Sequence, residues 1–289
     1  MSIFNKNVNI ECLKKKVVFI TCKYQTNIIN KIMKICSNQS LEILEISTYL
    51  DTEINIFFIR LSIQGYFQDC SFLYDFHNLL PSELEINCHN VKKPKIILLA
   101  TKESHCIGNL LIKKKFGHLY ADILAIISNH KILKPLVKLF HIPYYYIDHY
   151  MLSNEEHSNK ILEISKKFKP DYIILAKYMR ILTSKFVQSY HNKIINVHHS
   201  ILPSFTGAKP YLQAYKRGVK IIGATAHYVN NYLDSGPIIF QDVVHIDHTY
   251  SLNDMIRIGH DMEQYVLNRA LYLIFSNRVL IFKNRTIIF

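Results

Sequence analysis

The sequence has no tryptophan, and glycine and proline are scarce, at 8 residues each in 289. That scarcity excludes collagen-like and Gly/Pro-rich disordered classes. With 49% hydrophobic and only 20% charged side chains, the chain carries enough apolar surface for a packed core. No apolar run approaches the roughly 18 residues that a membrane span needs. The opening MSIFNKNVNIECLKKK contains no apolar signal segment, so the expectation is a soluble protein that stays in the cytoplasm, with no membrane partner. Cys12, Cys22, Cys36, Cys70, Cys88 and Cys106 form no C-x-x-C pair, which removes zinc-ribbon and thioredoxin-type readings and leaves reduced, mostly buried thiols. The turn Thr101-Lys-Glu-Ser-His-Cys-Ile-Gly108 holds a single glycine, so it is neither a G-x-G-x-x-G fingerprint nor a P-loop.

Acidic side chains are also short. Lys and Arg number 35 against 22 Asp and Glu, a net charge of +13. Residues 1–93 hold 10 basic and 9 acidic side chains (+1), and residues 94–289 hold 25 and 13 (+12). A basic second half attracts nucleic acid, a membrane surface or an anionic small substrate. The 28 lysines against 7 arginines, with 43 isoleucines, also fit plain compositional drift. Regularly spaced aromatics within a basic patch are missing, so no nucleic-acid partner is expected.

What is present falls into two rhythms. Residues 16–22 (KVVFITC) are a β-branched strand; Ile28, Ile29, Ile32, Met33 and Cys36 follow at helical spacing. Residues 40–50 and 54–63 form a strand pair turning at Asp51-Thr52-Glu53. Phe72, Leu73, Phe76 and Leu79 mark a second helix, and residues 84–86 a last strand. The order βαββαβ predicts a ferredoxin-like unit over residues 1–90. Residues 89–95 (HNVKKPK) read as a basic connector. From residue 91 to 289 strands alternate with helices: strands at 95–101, 121–127, 143–147 and 171–176, helices at 107–115, 131–140 and 153–168. This pattern predicts a doubly wound, Rossmann-like α/β sheet, closing with a helix over 252–275 and a final strand.

The chemistry-bearing stretch is 196–234. After a short strand at 193–197 it reads Asn196-Val-His198-His199-Ser-Ile-Leu-Pro203, and four of the eight glycines fall between Gly207 and Gly236. An amide, an imidazole and a carboxylate converge here if Asn196, His198 and Asp234 meet. Each also has a plain reading: Asn196 as a turn former, the His-His pair as one buried and one solvated ring, Asp234 in Leu-Asp-Ser-Gly-Pro as a turn residue. Spacing alone leaves both open. His199, His227, His245 and His248 are candidate zinc ligands. His245-x-Asp-His248 lacks a thiol or second carboxylate at a standard spacing, so no metal is expected, and His227 is expected to serve as a hydrogen-bonding core residue.

Asn196-x-His198 with Ser-Ile-Leu-Pro, followed by Leu-Asp234-Ser-Gly-Pro, resembles the folate-dependent formyltransferase fold. Ala176-Lys-Tyr-Met-Arg180-Ile-Leu182 is similar to that fold's folate-contacting loop. Cys106-Ile-Gly-Asn-Leu-Leu, Gly207-Ala-Lys-Pro-Tyr211, Ile222-Gly-Ala-Thr-Ala-His-Tyr-Val229, Val244-His-Ile-Asp-His-Thr-Tyr250 and Asn284-Arg-Thr-Ile-Ile narrow the match to the formyltetrahydrofolate deformylases, over nearly the whole chain. That resemblance implies an ACT-type regulatory and assembly domain (1–90) before a formyltransferase-fold catalytic domain (91–289). It further implies hydrolysis of 10-formyltetrahydrofolate to tetrahydrofolate and formate, within one-carbon metabolism and formate-dependent purine biosynthesis. Asn196, His198 and Asp234 are the implied catalytic residues, and Met179, Arg180, Ile181 and Leu182 the implied folate contacts. Lys209 is a further candidate, facing the glutamate tail of the folate or the departing formate. No cofactor is implied, since folate is the substrate, and ACT-type pairing implies a homo-oligomer. Asn196 and a protonated or N–H-bearing His198 are expected to bind the oxyanion, with Asp234 orienting His198 and accepting a proton from water directly or through the ring.

Two relatives of the same fold compete. A glycinamide ribonucleotide formyltransferase must hold a phosphate-bearing acceptor on a glycine-rich first loop and has a histidine where Lys209 stands; both departures favour water as acceptor. A methionyl-tRNA formyltransferase carries a C-terminal nucleic-acid-binding domain. The non-enzymatic alternative is an amino-acid-sensing ACT protein. Here, however, Tyr24 and Asn27 stand where ACT-type amino-acid sites place an Asp and a Gly, so amino-acid regulation is expected to be weakened or lost.

Overall fold

The computed structural model describes residues 13–67, 72–80, 84–204 and 210–289. The chain divides into two compact units, one running to Lys92 and joined by Phe289, the other Lys93–Ile288.

In the first unit β1 (Lys14–Lys23), α1 (Ile28–Asn38), β2 (Glu42–Asp51), β3 (Ile56–Gly65), α2 (Phe72–Leu79) and β4 (Leu84–Asn90) follow in the expected order. The strands form one antiparallel sheet in the order β2-β3-β1-β4. Val18, Ile20 and Cys22 of β1 point with Ile59, Leu61 and Ile63 of β3 toward Ile28, Ile32 and Ile35 of α1, the period-2 and period-3.6 faces meeting in one core. One expectation needs correction. His89 and Asn90 are not connector but strand, paired with Val17 and Lys16, because the inward alternation Leu84, Ile86, Cys88 carries the strand past residue 86. Only residues 91–94 remain irregular.

The second unit begins with β5 (Lys95–Ala100), α3 (His105–Lys115), β6 (Asp122–Ser128), α4 (Lys134–Lys138), β7 (Tyr144–Tyr146), α5 (Asn154–Phe168) and β8 (Tyr172–Leu175). It continues with α6 (Ser184–Ser189), β9 (Ile194–His198), α7 (Pro210–Arg217), β10 (Ile221–Tyr228), β11 (Ile238–His245), α8 (Leu252–Phe275), β12 (Val279–Phe282) and β13 (Arg285–Ile288). Seven strands make one sheet, β11-β10-β9-β8-β5-β6-β7, parallel from β9 to β7 and antiparallel where β10 and β11 join. β5 is buried on both faces: Ile96, Leu98 and Ala100 pack toward α3 and α8, Ile97 and Leu99 toward α5 and α6. Each of these Ile and Leu side chains contributes about 1.5–3 kcal/mol of burial, and burial on both faces is why this strand reads as an unbroken apolar run. α4 is shorter than its expected ten residues: Pro135 sits in the first turn, where its missing N–H costs nothing, and the helix ends at Lys138. Capping boxes, Ser153 with Glu156 and Ser251 with Asp254, fix the starts of α5 and α8.

The topology sets the location of the site. From β5 the chain winds outward to β6 and β7, then returns to add β8 and β9 on the other side. Such a reversal opens a crevice at the carboxyl ends of the strands.

Candidate active site

Asn196 and His198 are two apart on β9 and so share one face. β10 lies antiparallel beside them, with His227 opposite Asn196 and Thr225 opposite His198. A register shift between Ala226 and His227 re-aims His227. Asp234 arrives from the turn after β10 in a left-handed backbone conformation (φ 51°), one that Asp and Asn tolerate better than other side chains. Gly236 closes that turn. A Cβ there would fall 1.8 Å from the Tyr228 carbonyl oxygen, so only glycine allows the approach. Asn284, between β12 and β13, donates to the Ser235 carbonyl (3.0 Å) and braces the same turn.

The three expected catalytic residues meet. His198 Nδ1 lies 3.2 Å from Asp234 Oδ2, and His227 Nε2 lies 3.6 Å from Oδ1 of the same carboxylate. His227 Nδ1 is 2.9 Å from the Tyr228 carbonyl and donates to it. With Nδ1 as the donor, Nε2 accepts from the Asn196 amide at 3.2 Å, nearer than the carboxylate. Asn196, His227, Asp234 and His198 thus form one connected set. His198 Nε2 is buried and has no hydrogen-bond partner among the described residues. Burial holds the His198 ring below the ordinary imidazole range; Asp234 pulls the other way, while His227 and Lys177 add to the lowering. With the ring neutral and its Nδ1 hydrogen on Asp234, the free Nε2 is an acceptor. The arrangement therefore favours a base at His198 over the expected oxyanion donor.

These side chains line a cavity of about 330 Å³ together with Lys177, His199 and the loop after β8. Of the expected folate contacts, Met179 and Ile181 are 61% and 64% exposed at its mouth, Leu182 is buried, and Arg180 donates to Asn154 Oδ1 (3.3 Å) while its Nε is buried without a partner among the described residues. Exposed Tyr232 and Leu233 complete the rim. Lys209 lies outside the described residues.

Residues that sequence reasoning did not single out surround this set. Thr225 accepts from the Leu202 amide and from Gln241 and donates to the Ser200 carbonyl, tying down the loop after β9. On the other wall, wholly buried Glu263 of α8 receives Lys177 Nζ (3.1 Å) and His105 Nε2 (2.8 Å) on Oε2, and the Tyr211 hydroxyl (2.7 Å) on Oε1. Burial works to raise the Glu263 pKa, but His105, Lys177 and Tyr211 overcome it and hold it at about 2. Burial and Lys177 together push His199 down to about 4. A signal existed for Glu263: a carboxylate within the apolar stripe Met255, Gly259, Val266, Ala270 of a helix requires partners. Among the described residues, ligand atoms close enough to share a metal ion are Glu103, His105 and His260, and His105, Cys106 and Glu263. The second set already holds the Lys177 ammonium, and burial pushes the Cys106 thiol up, so it is a poor metal ligand.

The Formyl transferase family matches residues 94–271. The formyltetrahydrofolate deformylase of Escherichia coli K12 is 47% identical over 276 residues, covering 96% of this chain and 99% of that protein. The crystal structure of a formyltetrahydrofolate deformylase from Pseudomonas syringae superimposes with a TM-score of 0.90 at 35% identity, covering 98% of this chain and 97% of that one. A glycinamide ribonucleotide transformylase from Symbiobacterium toebii reaches a TM-score of 0.65 at 25% identity and covers only 68% of this chain. With the βαββαβ unit and the formyltransferase unit both covered by the Escherichia coli and Pseudomonas syringae deformylases, the chain belongs to the formyltetrahydrofolate deformylase family.

Proposed function

We propose that this protein hydrolyses 10-formyltetrahydrofolate to tetrahydrofolate and formate, using Asn196, His198 and Asp234. The observation that carries the reading is the His198 ring: Nδ1 on Asp234, Nε2 buried and unpartnered, in the wall of a cavity that also contains the Asn196 amide. Water is activated when Nε2 accepts its proton, and Asp234 fixes the tautomer and stabilises the imidazolium that forms. Asn196 keeps one amide hydrogen on His227 and offers the other to the formyl oxygen as it becomes negative. The nitrogen of the departing tetrahydrofolate takes back the proton from His198.

Met179, Ile181 and Leu182, with Tyr232 and Leu233, supply an apolar mouth suited to the pterin ring, and Arg180 supplies the unpaired Nε. Lys209 belongs to the same reading as a contact to the glutamate tail or to formate. The ACT-type unit (1–90) serves assembly into a homo-oligomer, supported by β2, an edge strand with half of its residues exposed. The catalytic unit is 91–289, and the protein acts in the cytoplasm; among the described residues no helix is long and apolar enough to cross a membrane.

The test is incubation of the purified protein with 10-formyltetrahydrofolate and no amine. Release of formate and tetrahydrofolate is expected. Formyl transfer that starts only when glycinamide ribonucleotide is added would overturn the reading.

A further inference from the structure

One ionisable side chain of the cavity has no role in the chemistry above, yet a buried network is devoted to holding it. Lys177 follows β8 with a left-handed backbone (φ 61°), a conformation that favours glycine and disfavours a long side chain. It is only 7% exposed. Backbone strain and a buried cation together mark a position that the surroundings must over-determine. They do: Glu263 pairs with Nζ at 3.1 Å, and His105 and Tyr211 fix Glu263 in turn. Gly259, one turn before Glu263 on α8, lets Tyr211 come close enough; a Cβ there would lie 2.2 Å from the tyrosine ring. An apolar pair would fill the space at lower desolvation cost, so packing alone does not account for the ion pair. An ammonium has three hydrogens, and Glu263 takes one. The others are available to a ligand in the cavity that Lys177 lines with Asn196 and His198.

We propose that Lys177 is a further catalytic residue, whose ammonium faces the negative charge of the reaction, first on the formyl oxygen and then on formate, and that Glu263, His105 and Tyr211 are its positioning residues. The inference rests on the hydrolytic reading given above. As water attacks, a carbon–oxygen bond forms, the water proton passes to His198 Nε2, and the carbonyl electron pair moves onto the formyl oxygen. The carbon–nitrogen bond then breaks, the nitrogen takes the proton from His198, and the formic acid loses its remaining proton to solvent and leaves as formate. With His198 acting as base, Asn196 is the one neutral donor of the trio, and Lys177 supplies the charge that it lacks.

The test uses Lys177→Gly, which suits the left-handed backbone, and Lys177→Met; the double variant Lys177→Gly, Glu263→Gln removes both buried charges if the single variants do not fold. The expected result is a fall in kcat of at least about 10²-fold, with KM for the folate changed less than about threefold. Sodium formate should inhibit the variants more weakly than the native enzyme. In the single variants the acid limb of kcat should move to higher pH, because the groups around His198 are Asp234, His227, His199, Glu263 and Lys177, and loss of the lysine alone removes a charge that repels its proton. A kcat within about threefold of native overturns the proposal. So does a lower kcat with formate inhibition and the acid limb unmoved, which would make Lys177 a structural residue. Formate release by the native enzyme is the control: its absence overturns the hydrolytic reading, whereas the variant results concern Lys177 alone.

Discussion

At the residue scale, the trio and its partners make separable demands. Asn196→Ala, His198→Ala and Asp234→Asn are each expected to lower kcat by at least about 10²-fold, while folate binding, measured by fluorescence quenching, persists because the mouth lies on other residues. Native turnover in any one variant removes that residue from the mechanism. The buried histidines and acids also give the fold a pH dependence of definite sign. His199 is held at about 4 against an ordinary 6.5, so the folded state binds fewer protons than the unfolded one between those values. Its contribution is complete above about 6.5 and is lost as pH falls toward 4. Glu263, at about 2 against 4.5, adds a second loss below pH 4.5. Thermal unfolding temperature is therefore expected to fall from pH 7 to pH 4, and a flat profile contradicts these environments. Asn196, His198 and Asp234 were legible because two lie within one short motif and the third in a turn of unusual composition. The Lys177–Glu263–His105–Tyr211 set was not, because no spacing links positions 105, 177, 211 and 263; only the packing of α3 and α7 on α8, and the reach of Lys177 to Glu263, does.

At the element scale, the turn between β10 and β11 is where backbone geometry governs chemistry. Gly236→Ala would drive a Cβ into the Tyr228 carbonyl, the same oxygen that fixes His227. Loss of about 1–3 kcal/mol of stability and at least a tenfold loss of kcat are expected, read by denaturant unfolding and steady-state assay. At Gly108, in α3, a Cβ would make only an ordinary contact with Leu136 (4.0 Å), and Gly108→Ala should instead gain about 0.5–1 kcal/mol; the reverse order of the two would contradict the account. In the first unit, Asn27 adopts the left-handed conformation (φ 70°) before α1 that a glycine would otherwise supply. Tyr24 packs edge-on against Phe57 and brings no carboxylate to the turn. Calorimetry with glycine and methionine should accordingly show no binding tighter than about 1 mM, and tighter binding with a change in rate would contradict it. Strands β1, β3 and β5 were readable from their apolar patterns. The brevity of α4 and the extension of β4 were not, because both depend on local partners: the proline in the first turn of α4, and β1 beside β4.

At the scale of the whole molecule, the order of elements determined more than any single residue. Alternating strands and helices after residue 94 announced a doubly wound sheet, and the switch between β5 and β8 placed the crevice where the carboxyl ends of β8 and β9 deliver Lys177, Asn196 and His198. The antiparallel β10 and β11 were less legible, since Gly223 and the His227 register shift interrupt their alternation. The excess positive charge of the second unit says nothing about fold, and its cavity places one lysine, Lys177, where charge develops. The central claim is that water, and not an amine, takes the formyl group. Reaction in H₂¹⁸O with 10-formyltetrahydrofolate alone tests it most directly by mass spectrometry of the formate. One ¹⁸O per formate, appearing at the rate of tetrahydrofolate release and abolished with His198→Ala, is the predicted result; unlabelled formate, or none without an amine acceptor, would contradict it.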